Sequence, residues 1–296
     1  MRTVDYQHTH HRHDKEHSVD YRVMRIRGVK TAYLDEGSAA AQPIVLLHDG
    51  SPGSDARSCW APLIPLLAEK YRVIAPDMTG SGRSEKLIHL DTDFYSHMIG
   101  QVAGLCDALA LAPPALVGAS LGGGMVLQSM ARGAFSILCG TSIAGPGGRY
   151  MNPEGLLPIS NYEPTEEATL AVERTLVKEP SEAAVRARLE SALSDGYLPS
   201  YRARRIHGPG ILPEPSDPDI HPHTAMIRRI TRPTLLVAGG QDPLVDPQWA
   251  VEMAKEITGA SVFTVQDGLH LPHVDNAAEV AARLDEHIGH AMAKRV

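Results

Sequence analysis

Residues Pro114 to Gly124, PALVGASLGGG, run a short apolar stretch into a serine with a glycine two positions to either side. "PALVGA" has the length and residue types of a buried strand, and the sequence from Leu121 to about Arg132 that of a helix. A serine on so sharp a strand-to-helix turn takes a strained backbone conformation. Only small residues at 118 and 122 let strand and helix pass that closely. Gly123 and Gly124 extend the tolerance into the helix start. Ser120 is therefore the candidate nucleophile, because this motif requires that structural context.

Outward from this turn, strand and helix alternate. "YRVMRI" and "TAYLDEG" are expected as a leading pair of strands and "PIVLL" as a short buried strand, followed by a helix at "PLIPLLAE" and a strand at "YRVIAPD". A helix near residues 95–110 precedes the serine turn, and "FSILCG" is expected as the next strand. The alternation stops after Gly145. Residues 146–226 have helical and Pro-rich character without a convincing apolar strand, which marks a helical lid. The pattern resumes with "PTLLVAGGQD", a helix through "PQWAVEMAKEI", the strand "SVFTVQ" and an amphipathic helix from about Ala277. Strands separated by helices of about a dozen residues imply βαβ units and a doubly wound, mostly parallel α/β sheet. The expected organisation is a core of residues 20–145 and 227–296, a helical lid at 146–226 and a disordered His-rich tail at 1–19. At 296 residues the chain suits one large core with an insertion.

A serine hydroxyl is a poor nucleophile alone, so Ser120 requires a histidine base and an orienting carboxylate, in the chain order Ser, Asp or Glu, His. Asp242 lies where "LLVAGGQD" ends a late strand and is preferred. Asp246 is expected to cap the helix that begins near Pro247. In "DGLHLPHVD", His270 follows the Asp267-Gly268 turn and is the preferred base, whereas His273 is nearer the closing helix, where a surface or capping role is expected. Two backbone N–H groups should stabilise an oxyanion: Leu121, next to the nucleophile, and Gly50, in the "HDGSPG" loop after "IVLL". Gly50 carries its N–H into a cavity without a side chain, and Gly53 lets the loop turn out again. His48 is expected to hold this loop, and Asp49 to face away from the Ser120 cavity, since a carboxylate there would oppose negative charge.

The net charge of -7 gives no electrostatic basis for nucleic-acid binding. Cys59, Cys106 and Cys139 are far apart and lack ligand spacing, so they are expected as small buried hydrophobes in a reducing compartment. No apolar signal core and no membrane-spanning run is visible, which gives a cytoplasmic expectation. His8, His10, His11, His13 and His17 form a polar tail from which no ordered metal-ligand geometry follows.

These residues together resemble the α/β-hydrolase superfamily across residues 20 to 293. "LLHDGSPG", Trp60, "YRVIAPDMTGSGRS", "LVGASLGGG" and "GPGG" most resemble the carbon–carbon bond hydrolases that act on meta-ring-fission products of aromatic catabolism. The resemblance implies a Ser-Asp-His hydrolase with a helical lid, a small-molecule substrate, no metal or organic cofactor, and a homodimer. It also implies that Arg188 in "KEPSEAAVRARLE", with Arg186 second, contacts the substrate's carboxylate side, as a bidentate guanidinium would suit. The chain departs from that family at substrate-facing positions. Ala119 stands where an asparagine is usual and Leu271 where a tryptophan is usual, and Asp49 and Ser51 replace glycines of an H-G-x-G-P-G loop. Cleavage of a carbon–carbon bond in a diketone-type substrate is thus the first expectation. A carboxylesterase, thioesterase or lactonase acting on an aromatic natural product is the second, favoured by the more apolar pocket. A non-hydrolytic ligand-binding protein of the same fold is the third. Epoxide and haloalkane hydrolysis are disfavoured, because the related enzymes carry aspartate at the elbow.

Overall fold

The computed structural model describes residues 20–88, 90, 92–203 and 222–294. The His-rich tail expected at 1–19 and the Pro-rich part of the insertion at 204–221 lie outside the described residues. Within them, eight strands form one sheet: β1 (Arg22–Ile26), β2 (Val29–Glu36), β3 (Pro43–Leu47), β4 (Arg72–Pro76), β5 (Ala115–Ala119), β6 (Cys139–Ile143), β7 (Thr234–Gly239) and β8 (Ser261–Val265). Their order is β1-β2-β4-β3-β5-β6-β7-β8. β2 runs antiparallel to both β1 and β4, and every other pairing is parallel. All residues of β3, β5, β6 and β7 are buried, as central parallel strands covered on both faces must be.

The helices follow as α1 (Ala56–Trp60), α2 (Ile64–Ala68), α3 (Phe94–Ala108), α4 (Leu121–Arg132), α5 (Leu157–Ser160), α6 (Glu166–Leu176), α7 (Glu182–Ala192), α8 (Tyr197–Ala203), α9 (Pro222–Ile227), α10 (Trp249–Ala254), α11 (Pro272–Asp275) and α12 (Ala277–Ala293). Two apolar clusters result. One joins Trp60, Leu63 and Leu67 near α1 and α2 to Leu284 and Ile288 of α12. The other joins Val102 and Leu105 of α3 to Met125 and Met130 of α4 and to Trp249 and Met253 of α10. The doubly wound α/β architecture expected from the strand–helix alternation is therefore present.

Two local expectations are corrected. The strand expected at "FSILCG" begins only at Cys139 and runs to Ile143, because its register is set by β5, Ala115 facing Cys139 and Ala119 facing Ile143. Helix α1 has no counterpart among the expected helices; Asp55 and Ser58 form a capping box at its start. In the insertion, α6 is capped by Thr165, whose side chain accepts from the Ala168 N–H, and α7 by Ser181, which accepts from the Ala184 N–H. Side chains thus satisfy backbone donors that a helix start leaves without intrahelical partners. Helix α9 extends one residue beyond the expected insertion boundary at 226, to Ile227.

Candidate active site

Ser120 stands between β5 and α4 with φ 52° and ψ -115°, left-handed backbone that a residue with a Cβ adopts at a cost of order 1–3 kcal/mol. The turn is held by the Ser120 N–H donating to the Ile143 carbonyl (2.8 Å) and the Gly124 N–H donating to the Ser120 carbonyl (3.0 Å). The flanking glycines are required sterically. A Cβ on Gly118 would overlap the Gly122 carbonyl, and one on Gly122 would overlap the Leu47 carbonyl at the end of β3.

Asp242 leaves β7 three residues after its last strand position, and His270 leaves the loop after β8. The His270 Nδ1 lies 2.8 Å from Asp242 Oδ2, and its Nε2 lies 2.8 Å from Ser120 Oγ. An ionised carboxylate only accepts, so a neutral imidazole in this geometry carries its proton on Nδ1 and presents Nε2 as acceptor for the serine hydroxyl. The second Asp242 oxygen accepts from the Leu244 N–H at 2.8 Å, which fixes the carboxylate from both sides. Asp246 instead accepts from the Gln248 N–H at 2.8 Å in the turn before α10; it does not cap the helix as expected, because the residue flanking the first turn is Gln248, which makes no side-chain cap. Serine, histidine and aspartate, 150 and 28 residues apart along the chain, are thus joined in one hydrogen-bonded line.

Gly50 packs directly on Leu121: a Cβ at Gly50 would stand 2.7 Å from Leu121 Cδ2 and 2.8 Å from its Cβ. Both residues, together with Ser51 and Ser120, line a cavity of about 530 Å³. Phe94, Leu156, Ile159 and Leu244 make much of its wall apolar, and Asp93, Tyr95 and Tyr201 interrupt it with polar groups. These wall residues come from α3, from the inserted helices and from the loop after β7. No sequence motif marked them, since their only signal is tertiary.

His48 is fully buried and holds its loop as expected: the Met78 N–H donates to Nε2 (3.0 Å), and Nδ1 lies 2.7 Å from the Asp49 carbonyl. The Asp49 carboxylate turns back into its own loop. It accepts from the Ser51 N–H (2.8 Å), the Ser51 hydroxyl and the Ser54 hydroxyl (2.5 Å). Burial alone would raise its pKa, but the Arg188 charge and the Ser51 and Ser54 hydrogen bonds outweigh burial and hold it down at about 2.

Arg188 is 2% exposed and does not line the cavity. Its Nε pairs with Glu173 of α6 at 2.5 Å, and its Nη1 donates to Ser51 Oγ (2.8 Å) and to the Pro52 carbonyl (3.1 Å). Ala119 and Leu271 are likewise absent from the cavity wall. Ala119 is fully buried in β5, and Leu271 is a core residue whose N–H donates to the Leu176 carbonyl at 2.8 Å. His273, expected at the surface or as a cap, is instead fully buried. It packs over Trp60 with ring centroids 4.4 Å apart, and its Nε2 lies 3.0 Å from the Cys59 carbonyl. Burial depresses its pKa to about 4. The three cysteines are all buried and unpaired. Among the described residues, no group of three or more His, Cys, Asp or Glu side chains is placed to hold a metal ion, and no helix is long and apolar enough to cross a membrane.

With this geometry in view, the similarity to known proteins is informative. The 2-hydroxymuconate semialdehyde hydrolase of Pseudomonas sp. (strain CF600) is 26% identical over 279 residues, covering 91% of this chain and 94% of that protein. The 2-hydroxy-6-oxo-6-(2'-aminophenyl)hexa-2,4-dienoic acid hydrolase of Metapseudomonas resinovorans is 29% identical over 275 residues, covering 88% of each. The structure of a meta-cleavage product hydrolase from Pseudomonas fluorescens IP01 superposes with a TM-score of 0.79 at 23% identity, covering 91% of this chain and 98% of that one. The family defined by the alpha/beta hydrolase fold matches residues 43–277. The chain belongs to that alpha/beta hydrolase family and is a hydrolase, most like those that act on meta-cleavage products.

Proposed function

We propose that the chain is a serine hydrolase that works by acyl transfer to water. The observation that carries this reading is the unbroken line Ser120 Oγ, His270 Nε2 and Nδ1, Asp242 Oδ2, with both contacts at 2.8 Å. His270 takes the Ser120 proton as Oγ attacks a carbonyl carbon, and Asp242 keeps the imidazole oriented and stabilises the charge that forms. The N–H groups of Gly50 and Leu121 stabilise the oxyanion of the tetrahedral intermediate. His270 then passes the proton to the leaving group, and water, deprotonated by the same imidazole, releases the acid from the acyl-enzyme.

In the first reading the leaving atom is carbon and the substrate a small diketone of the meta-cleavage-product type. The names of the relatives support this reading. A second reading, hydrolysis of an ester, thioester or lactone, is favoured by the position of Arg188. Its guanidinium is committed to Glu173, Ser51 and Pro52 rather than to the cavity, whose wall is largely apolar. Such a site suits an uncharged acyl group better than a dienoate.

Incubation with a vinylogous 1,5-diketone and with a neutral aryl ester separates the two. Turnover of the diketone at a kcat/KM at least comparable to the ester supports carbon–carbon cleavage, and fast turnover of the ester alone supports the second reading. In either case Ser120→Ala is expected to abolish turnover. Undiminished activity in that variant would sink the serine mechanism, and absence of turnover of either substrate by the unaltered chain would leave a ligand-binding role for the fold.

A further inference from the structure

The loop that carries Gly50 is gripped by two elements of the insertion. Arg188 of α7 donates through Nη1 to the Ser51 hydroxyl and the Pro52 carbonyl, and the Gly53 N–H donates to the Tyr197 hydroxyl of α8 at 2.5 Å. Gly53 has φ 72°, and a Cβ there would overlap the Arg188 carbonyl, so loop and helix meet backbone to backbone. Ser51 accepts from Arg188 and donates to Asp49, so a continuous chain runs from Glu173 through Arg188 and Ser51 to Asp49.

Asp49 closes this chain around Gly50. Its Oδ1 accepts from the N–H of Ser51, two residues on, an Asx turn whose central residue is Gly50. A turn of this kind sets the peptide planes on either side of its central residue, one of which contains the Gly50 N–H. On the other side of the loop, His48 ties the Asp49 carbonyl to the segment just after β4 through the Met78 N–H. Four of the groups involved, His48, Asp49, Arg188 and Glu173, are each 4% exposed or less. An unpaired charge so placed is costly, so the members hold one another in place.

We propose that Asp49 and Arg188 are positioning residues that aim the Gly50 N–H at the oxyanion, so that seating of α7 in the insertion governs how well the site stabilises the transition state. The proposal rests on the assignment of Gly50 as an oxyanion donor made above. It gives Arg188 a role distinct from contact with a substrate carboxylate.

The test uses the full chain and the variants Arg188→Met, Arg188→Lys, Asp49→Asn and Ser51→Ala, assayed with the neutral ester p-nitrophenyl butyrate and with phenylboronic acid, which forms a tetrahedral anion on a nucleophilic serine. Loss of aim is a loss in the transition state alone. Arg188→Met and Asp49→Asn are expected to lower kcat roughly 10- to 100-fold, less than complete loss of an oxyanion donor. KM should stay within about threefold, and phenylboronic acid inhibition should weaken in step with kcat. Arg188→Lys should recover part of the loss, and the Arg188→Met/Asp49→Asn double variant should be little worse than either single change.

A rise in KM at unchanged kcat, or a defect seen only with a carboxylate-bearing substrate, would overturn the proposal in favour of direct substrate contact. Should the charge variants fail to fold, Ser51→Ala removes only the hydroxyl link and is expected to lower kcat by about three- to tenfold; an unchanged kcat counts against the proposal. Amide hydrogen exchange separates this idea from the hydrolase reading itself, because it needs no turnover. In Arg188→Met, exchange over residues 47–54 should quicken about tenfold while residues 115–127 are unaffected. Unchanged exchange in the loop refutes positioning even if Ser120 proves to be the nucleophile. If Ser120→Ala keeps full activity while the loop loosens, the mechanism fails and the loop anchor stands.

Discussion

At the residue scale the carboxylate of Asp242 does two tasks, since one oxygen meets His270 Nδ1 and the other the Leu244 N–H. Asp242→Asn keeps the shape but can present an amide N–H to Nδ1. That favours the tautomer with its proton on Nε2, which cannot accept from Ser120. We expect kcat to fall roughly 10³- to 10⁴-fold with little change in stability, measured by steady-state kinetics beside a urea titration. Ser120, Asp242 and His270, which the structure brings into contact, could be singled out as candidates from sequence because each sits where a strand ends in small or turn-forming residues, a local property of the chain. Arg188 and His273 could not. A helical arginine has the same sequence signature whether it meets solvent, substrate or Glu173, and the partner that decides lies fifteen residues away on another helix. His273 lies in the short α11 just ahead of α12, where sequence suggests a surface cap, yet the Trp60 ring and the Cys59 carbonyl form a buried niche for it.

Elements owe their placement to a few positions where backbones nearly touch. The turn between β5 and α4 lies so close to β3 that a Cβ on Gly122 would overlap the Leu47 carbonyl and stand 2.8 Å from that of His48. Both obstacles are backbone, which cannot rotate away. Gly122→Ala is expected to destabilise the fold by about 2–3 kcal/mol and to displace Ser120, so chemical-denaturation midpoint and kcat should fall together. Gly133 provides the contrast. It ends α4 at φ 58° with nothing within 4 Å of a would-be Cβ, so Gly133→Ala should cost only about 1 kcal/mol and leave kcat unchanged. The strand–helix alternation was visible because apolar periodicity is local. The start of β6 lies four residues beyond the apolar run at Phe135 because its register comes from β5 and β7, which the sequence around residue 135 does not encode. Helix α1, with five residues like α2, lacks the leucine-rich run that marks α2, and only its capping pair signals it.

For the molecule as a whole, acid sensitivity follows from histidines that folding has buried. His273 is depressed from 6.5 to about 4 by burial, so below pH 6.5 the unfolded chain binds a proton that the folded chain refuses until about pH 4. Its contribution to stability is therefore intact above pH 6.5 and is lost as the pH falls toward 4. His273→Gln, which can still donate to the Cys59 carbonyl, should flatten this slope, narrowing the stability loss between pH 7 and pH 5 by about 1–2 kcal/mol in urea titrations. His287, also lowered to about 4, and Asp77, raised by burial and by Asp55, are common to both proteins, so the difference isolates His273. The sequence by itself determined the α/β class, the strand-to-helix turn at Ser120, and the order in which Ser120, Asp242 and His270 arrive at strand ends. These depend on local spacing, glycine sterics and strand-end chemistry. Only the tertiary structure decided that Arg188 joins Glu173 and the Gly50 loop, that Leu271 lies in the core, and which walls of the insertion meet the cavity. Each of those depends on which distant side chains burial brings together, a relation that carries no signature along the chain.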